Sequence, residues 1–131
     1  WYSGKILSVT DGDTFVMQTK EGNIRVRFEG IDAPENKQPF SQESKAFLEK
    51  YLLKECLLQK TGVDRFGRTL GVLWVNGVNI NLLMVKEGYA WHFKKYSKDK
   101  SLVDAEADAR KNKKGLWKEP APIAHWDWRK K

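Results

Sequence analysis

The sequence predicts an α+β fold, a five-stranded Greek-key β-barrel of the OB type carrying three helices. Two observations predict it. Short runs of alternating apolar and polar residues fill the first third of the chain and recur after residue 56. Helical spacing of apolar residues is confined to one stretch between those runs and to the part beyond residue 79. Strands and helices are thus segregated, and closing five strands into a barrel removes most of the exposed sheet edge. An open antiparallel sheet is the alternative arrangement of the same elements.

Residues 5–9, 15–19 and 24–28 carry β-branched and aromatic side chains in near alternation, the pattern of half-buried strands. Asp11-Gly12-Asp13 and Lys20-Glu21-Gly22-Asn23 supply the turns between them, so the three strands form consecutive hairpins. Beyond Pro39 the period becomes helical. Phe47, Leu48, Tyr51 and Leu52 share one face of a helix expected over 41–54, with Ser41 as its cap and Glu43 in its first turn. Residues 57–61 and 70–75 are the fourth and fifth strands, joined by a polar, glycine-containing segment. A short apolar stretch from 79 to 87 ends at Gly88, which suits a left-handed cap, and a last helix is expected over 101–114, before Gly115. In that helix Asp104, Glu106 and Asp108 precede Arg110, Lys111, Lys113 and Lys114, so each sign lies toward the favourable end of the helix dipole. Two prolines and the pair Trp126 and Trp128 predict that 118–131 is an extended tail packed on the barrel.

With 131 residues, 40% of them hydrophobic, the chain has enough apolar side chain for one core, and residues 1–131 are expected to form a single domain. The one cysteine, Cys56, rules out an internal disulfide and is expected as a small buried hydrophobe. No cysteine and histidine set has the spacing of a structural zinc site. No apolar run approaches the roughly 20 residues that cross a bilayer, so no membrane partner is expected. Lys and Arg outnumber Asp and Glu by 24 to 17, for a net charge of +7, and the pI is about 9.5. Such a balance favours polyanionic partners, nucleic acid among them. Basic composition also describes many proteins without that partner, so the chemistry has to come from motifs.

The segment Asp11-Gly12-Asp13-Thr14 alone reads as a hairpin turn. The next segment is richer: Arg25-Val26-Arg27-Phe28-Glu29-Gly30-Ile31-Asp32-Ala33-Pro34-Glu35 runs from a strand into a carboxylate-rich turn. With Ile24, Val26 and Phe28 toward the core, Arg25 and Arg27 take the opposite face. Ile31 returns to the core, Asp32 follows at the strand end, and Pro34 holds Glu35 in a rigid loop. If the barrel closes, the turn at Asp13 approaches Asp32, and two carboxylates at that range repel unless a cation joins them. Hard oxygen donors without histidine or thiolate nearby suit calcium or magnesium over zinc or copper. Two carboxylates, with the Ala33 carbonyl as a third oxygen, make an open site that keeps waters and leaves room for a phosphate oxygen. Asp64-Arg65-Phe66-Gly67-Arg68 sets two guanidinium groups around a glycine turn, and a guanidinium matches phosphate oxygens through parallel hydrogen bonds. The stretch from Tyr89 to Tyr96, with Lys94 and Lys95, interleaves rings and cations as single-strand binding requires, although Tyr89, Trp91 and Phe93 alternate as ordinary barrel-edge packing also would. His92 and His125 lie in no nucleophile set and receive no catalytic role.

Taken together and in this order, the three motifs resemble those of the staphylococcal thermonuclease-like nucleases, over nearly the whole chain to Trp117. The resemblance implies a Ca2+-dependent enzyme, acting as endonuclease and exonuclease on DNA and RNA, with single-stranded or flexible substrates preferred. It implies water attack at phosphorus, cleavage of the bond to the 5′ oxygen, and 3′-phosphorylated products. By the same resemblance Asp13, Asp32 and the Ala33 carbonyl are the metal ligands, Glu35 orients or deprotonates the water, and Arg27 and Arg68 stabilise charge on the phosphate. Tyr96, Lys94, Phe66 and Arg65 become the substrate-binding residues. The chain departs from the family pattern in carrying Ala33 for a threonine, Phe66 for a tyrosine and Lys94 for another tyrosine, which alters the nucleotide end of the site more than its metal end. Such an enzyme is expected to be a monomer. Indiscriminate hydrolysis would harm its own cytoplasm, and the chain begins at Trp1 without an initiator methionine, so a secreted or periplasmic location is expected. The competing reading is a non-catalytic OB-fold module that binds single-stranded nucleic acid or a protein tail. Such a module gains nothing from Asp13, Asp32 and Glu35, whose charge repels phosphate when no cation is present.

Overall fold

The computed structural model describes residues 1–93 and 97–118. Three strands come first, β1 (Tyr2–Asp11), β2 (Thr14–Thr19) and β3 (Gly22–Phe28), followed by the two-residue β4 (Ile31–Asp32). Helix α1 (Ser41–Glu49) leads to β5 (Glu55–Val63), β6 (Thr69–Val75) and the short β7 (Val78–Asn79). Helix α2 (Ile80–Lys86), the short β8 (Trp91–His92), helix α3 (Lys100–Lys111) and a 3-10 turn (Gly115–Lys118) complete the order.

The strands β1, β2 and β3 are antiparallel neighbours, β5 pairs with β1, and β6 pairs with β5. A parallel seam then joins β3 to β6 through Val26–Thr69, Arg27–Leu70 and Phe28–Gly71. That seam closes β1, β2, β3, β6 and β5 into a five-stranded barrel, as expected, and excludes the open sheet. Period-two alternation fills the inside: Ile6, Phe15, Met17, Val26, Phe28, Leu58 and Leu73 are fully buried. Phe15 meets Phe28 edge to face at 5.3 Å. Phe47 and Leu48 of α1, Ile80, Met84 and Val85 of α2 and Leu102 and Ala105 of α3 join the same core cluster. Each large apolar side chain buried there contributes about 1.5–3 kcal/mol. Cys56 is buried with them, its thiol pushed up to about 11 by burial and then by the Glu55 charge.

The short pieces differ from the sequence expectation. Helix α1 stops at Glu49 rather than near 54, because the chain must reverse into β5. Leu53 turns with φ 63 and donates its amide to the Ile6 carbonyl at 2.9 Å. Ser41 is not the cap of α1. It is the first helical residue and buried, and Phe40 precedes it at φ 74 with no side-chain capping bond. Asn79 caps α2, its side chain accepting from the Leu82 amide at 3.0 Å, and Asp99 caps α3 by accepting from the Ser101 amide at 2.9 Å. The first turn of α3 holds no acid, so Asp99 is the carboxylate that meets the helix dipole there. Gly88 takes φ 81, as a left-handed cap requires, and a Cβ on it would run into the Lys114 carbonyl. The pair β4 and β8 was not anticipated. Two-residue strands carry no periodicity, yet Ile31–His92 and Asp32–Trp91 fix the chain leaving the barrel.

Candidate active site

The first carboxylate of the site is built by a tight turn pressed against a helix. Between β1 and β2 the Asp13 amide donates to Asp11 Oδ1 at 3.0 Å, and the Asp13 carbonyl accepts from the Phe28 amide at 2.9 Å. Gly12 makes this packing possible. A Cβ there would collide with the Ser44 hydroxyl of α1 and stand 2.9 Å from the Ala33 methyl. Asp13, 5% exposed, accepts from the Thr14 hydroxyl at 2.8 Å and from the Ala33 amide at 2.9 Å. Asp13 and the chain around Asp32 are therefore in direct contact, although they are 19 residues apart in number.

Arg27 joins the two carboxylates. From the outer face of β3 its Nη2 donates to Asp32 Oδ1 at 3.1 Å and lies 3.7 Å from Asp13 Oδ2. Its Nη1 donates to the carbonyls of Phe28, at 2.7 Å, and Ile31, at 3.0 Å. The β3–β4 bend thus wraps around the guanidinium it positions. Asp32 is buried, held in register by Trp91 of β8.

Asp11 is the residue that sequence reasoning passed over. Burial, then the neighbouring Asp13 charge and the hydrogen bond with its side chain, push the Asp11 carboxyl up to about 8. Burial also opposes ionisation of Asp13, but the Arg27 charge and bonds from Asp11, the Ala33 amide and Thr14 outweigh it and hold Asp13 near 2. The two carboxyls therefore titrate as a pair, Asp11 above and Asp13 below the usual carboxylate range. The signal was in the sequence, since two acids flanking one glycine in a tight turn must share space.

Arg68 sits in the β5–β6 turn under a carboxylate four residues earlier. Its Nε donates to Asp64 Oδ2 at 2.7 Å, and its amide to Asp64 Oδ1 at 2.9 Å. Those bonds and one from the Phe66 amide, working against burial, hold the Asp64 carboxyl below its usual range. Asp64 thus grips Arg68 through Nε and through its amide. The seam places this turn beside Arg27, which pairs with Leu70. Phe66 is exposed, with the guanidinium carbons of Arg65 and Arg68 4.9 Å and 5.6 Å from its ring centroid. Glu35, half-buried beyond Pro34, is fixed by a reciprocal pair: its amide donates to Gln38 Oε1 at 3.0 Å, and its carbonyl accepts the Gln38 amide at 2.8 Å.

Asp13, Asp32, Ala33 and Arg27 are therefore gathered in one cluster, with Glu35 two residues along the same loop and Arg68 on the adjoining turn. Tyr96 and Lys94 lie outside the described residues. Tyr89 belongs to the packing rather than to a surface platform, since it stacks on Phe47 at 4.4 Å and on Phe40 at 5.5 Å. Glu106 is not a solvated helix charge. It is buried and accepts from the His92 amide at 2.7 Å, docking α3 behind β8.

Among the described residues no three His, Cys, Asp or Glu groups close into a ready metal cage. The donor chemistry nevertheless fits a hard divalent cation, because two buried carboxylates, Asp13 and Asp32, meet at one guanidinium and offer hard oxygen donors. Ala33 directs its amide at Asp13.

Comparison with known proteins agrees with the fold. The family model described as staphylococcal nuclease homologue matches residues 25–119. The chain is 42% identical over 129 residues to an uncharacterized endonuclease of Haemophilus influenzae, covering 96% of this chain and 72% of that protein. It is 35% identical over 141 residues to the micrococcal nuclease of Shigella flexneri, covering 98% and 81%. A probable staphylococcal-like nuclease of Oryza sativa subsp. japonica is 37% identical over 127 residues, 96% of this chain and 33% of that longer protein. With this barrel, this cluster and these matches, the chain belongs to the staphylococcal nuclease homologue family.

Proposed function

We propose that the protein is a calcium-dependent nuclease that hydrolyses phosphodiester bonds of DNA and RNA, with single-stranded or flexible chains preferred. The observation that carries this reading is the buried cluster in which Arg27 bridges Asp13 and Asp32. A binding module has no use for carboxylates at that depth, and the names of the relatives, endonuclease and micrococcal nuclease, agree with hydrolysis.

Asp13 and Asp32 would hold the cation with waters and the Ala33 carbonyl, and calcium bound there supplies Lewis-acid polarisation of a phosphoryl oxygen. The remaining chemistry belongs to the chain itself. Glu35 orients a water and takes its proton as the oxygen attacks phosphorus in line. Arg27 keeps Nη1 anchored on the Phe28 and Ile31 carbonyls and turns Nη2 to the phosphate, where charge builds in the transition state. Arg68, aimed by Asp64, covers the same phosphate and assists the departing 5′ oxygen, which leaves the phosphate on the 3′ side.

The test is release of acid-soluble nucleotides from denatured DNA and from RNA, with calcium in one series and excess chelator in the other. Release in calcium alone is the expected result. Release that persists in chelator overturns the calcium requirement, and no release by folded protein in either series overturns the enzyme.

A further inference from the structure

The loop that carries Glu35 is strained, and one buried side chain closes it. Glu35, Asn36, Lys37 and Gln38 form a tight turn in which the Gln38 amide donates to the Glu35 carbonyl at 2.8 Å. Of these four residues only Lys37, in the third position, has a positive φ, 76. That is the pattern of a type II turn, whose third position calls for glycine. Phe40, two residues beyond the turn, is left-handed as well, at φ 74. Such strain persists where the surroundings over-determine the backbone, and it gathers at functional sites.

Here the determining residue is Gln38. Its side chain, 4% exposed, folds back so that Oε1 accepts the Glu35 amide at 3.0 Å. Its carbonyl accepts the Ser41 amide at 3.1 Å, which ties the turn to the first residue of α1. Pro39 follows and disfavours helical angles at Gln38, and Phe40 stacks on Tyr89 at 5.5 Å. Glu35 is thereby bracketed. Two residues before it, the Ala33 amide is fixed on Asp13 Oδ2 at 2.9 Å, and Pro34 between them has a fixed φ. On its other side both backbone groups of Glu35 are held by Gln38. We propose that Gln38 is a positioning residue for hydrolysis: its side-chain oxygen fixes the Glu35 backbone, so that the carboxylate meets the attacking water at a set place relative to Asp13 and Asp32. The assignment rests on the nuclease reading above and adds to it the residue that aims the base.

Gln38→Met keeps the length of the side chain and removes the acceptor. Initial rates on denatured DNA are measured over ranges of calcium and of substrate. Because a displacement near 1 Å costs on the order of a hundredfold, the expected result is a kcat lower by about 10–100-fold, with KM and the calcium midpoint within about twofold of wild type. A kcat within about threefold of wild type, or comparable losses in KM and in the calcium midpoint, overturns the proposal. A double-mutant cycle with Glu35→Gln tests the route of the effect. If Gln38 acts through Glu35, adding Gln38→Met to Glu35→Gln lowers kcat no further, whereas losses that multiply place its action elsewhere. An unchanged kcat in Glu35→Gln also overturns the proposal, since no base is then left to aim. Hydrogen exchange of the Glu35 amide gives a reading that needs no catalysis. Protection lost in Gln38→Met, with β3 and β6 amides as in wild type, supports the clamp, and equal protection overturns it. Should folded wild-type protein cut nothing in calcium, the nuclease reading falls, while amide exchange still decides whether Gln38 holds Glu35.

Discussion

Arg27 is the shared counter-charge of two buried carboxylates, so its removal affects folding as well as chemistry. Deleting one partner of a buried ion pair leaves the other charge uncompensated, and Arg27→Ala is expected to lower stability by ~3 kcal/mol in chelator, read from urea unfolding, with calcium restoring part of the loss. Asp11 sets a pH dependence of unusual sign for a carboxylate. Its folded value lies far above that of the unfolded chain, so the native state keeps a proton that the unfolded state gives up. Its contribution is complete below about pH 4 and is lost as pH rises toward 8. Asp13 runs the other way: its contribution is present above about pH 4 and is lost as pH falls toward 2. Asparagine mimics the protonated acid at every pH. Relative to wild type in chelator, Asp11→Asn should therefore gain on the order of 1–3 kcal/mol between pH 5 and pH 8, and parallel unfolding curves at the two pH values would refute the assignment. The meeting of Asp13, Asp32 and Arg27 was legible in part, because a period of two puts Arg27 on the outer face of β3 and a closed barrel brings the turn at Asp13 toward Asp32, while their roles came from the resemblance of the motifs. The proton on Asp11 and the grip of Asp64 on Arg68 were not, since both depend on burial and on turns that bring neighbours in sequence face to face.

Elements meet at glycines, and two of them separate stability from activity. Gly12 lets the β1–β2 turn rest on α1 and on Ala33, so Gly12→Ala displaces Asp13 itself. It should cost about 1–3 kcal/mol and nearly all activity, measured by thermal unfolding and nucleotide release on the same preparation. Gly88 joins the end of α2 to the 3-10 turn after α3, where its carbonyl accepts from the Leu116 amide at 2.8 Å. Gly88→Ala meets a positive φ and the Lys114 carbonyl, and should cost a similar amount while kcat stays unchanged. The five barrel strands and three helices followed from apolar periodicity. Helix ends did not: α1 is cut short by the return of the chain into β5, and α3 starts at an Asp99 cap whose role emerges only beside Ser101.

For the molecule as a whole, a charge of +7 predicts encounter with polyanions that weakens with salt. Raising ionic strength at fixed calcium should lower kcat/KM chiefly through KM, and a rate indifferent to salt would place recognition elsewhere than in charge. The barrel was legible from element order, but the partner of its edge strand was not, because nothing local marks a parallel pairing between β3 and β6. That seam also governs timing. The hairpins of β1, β2 and β3 bring Asp13 and Arg27 together from nearby sequence, whereas Arg68 arrives only when the last two strands have formed and docked. A chain still emerging during synthesis, with β6 and β8 not yet docked, lacks both the placed Arg68 and the strand that holds Asp32 in register. On the nuclease reading, activity therefore waits for the complete ring, and in a refolding experiment hydrolysis should appear after the strand signal rather than with it.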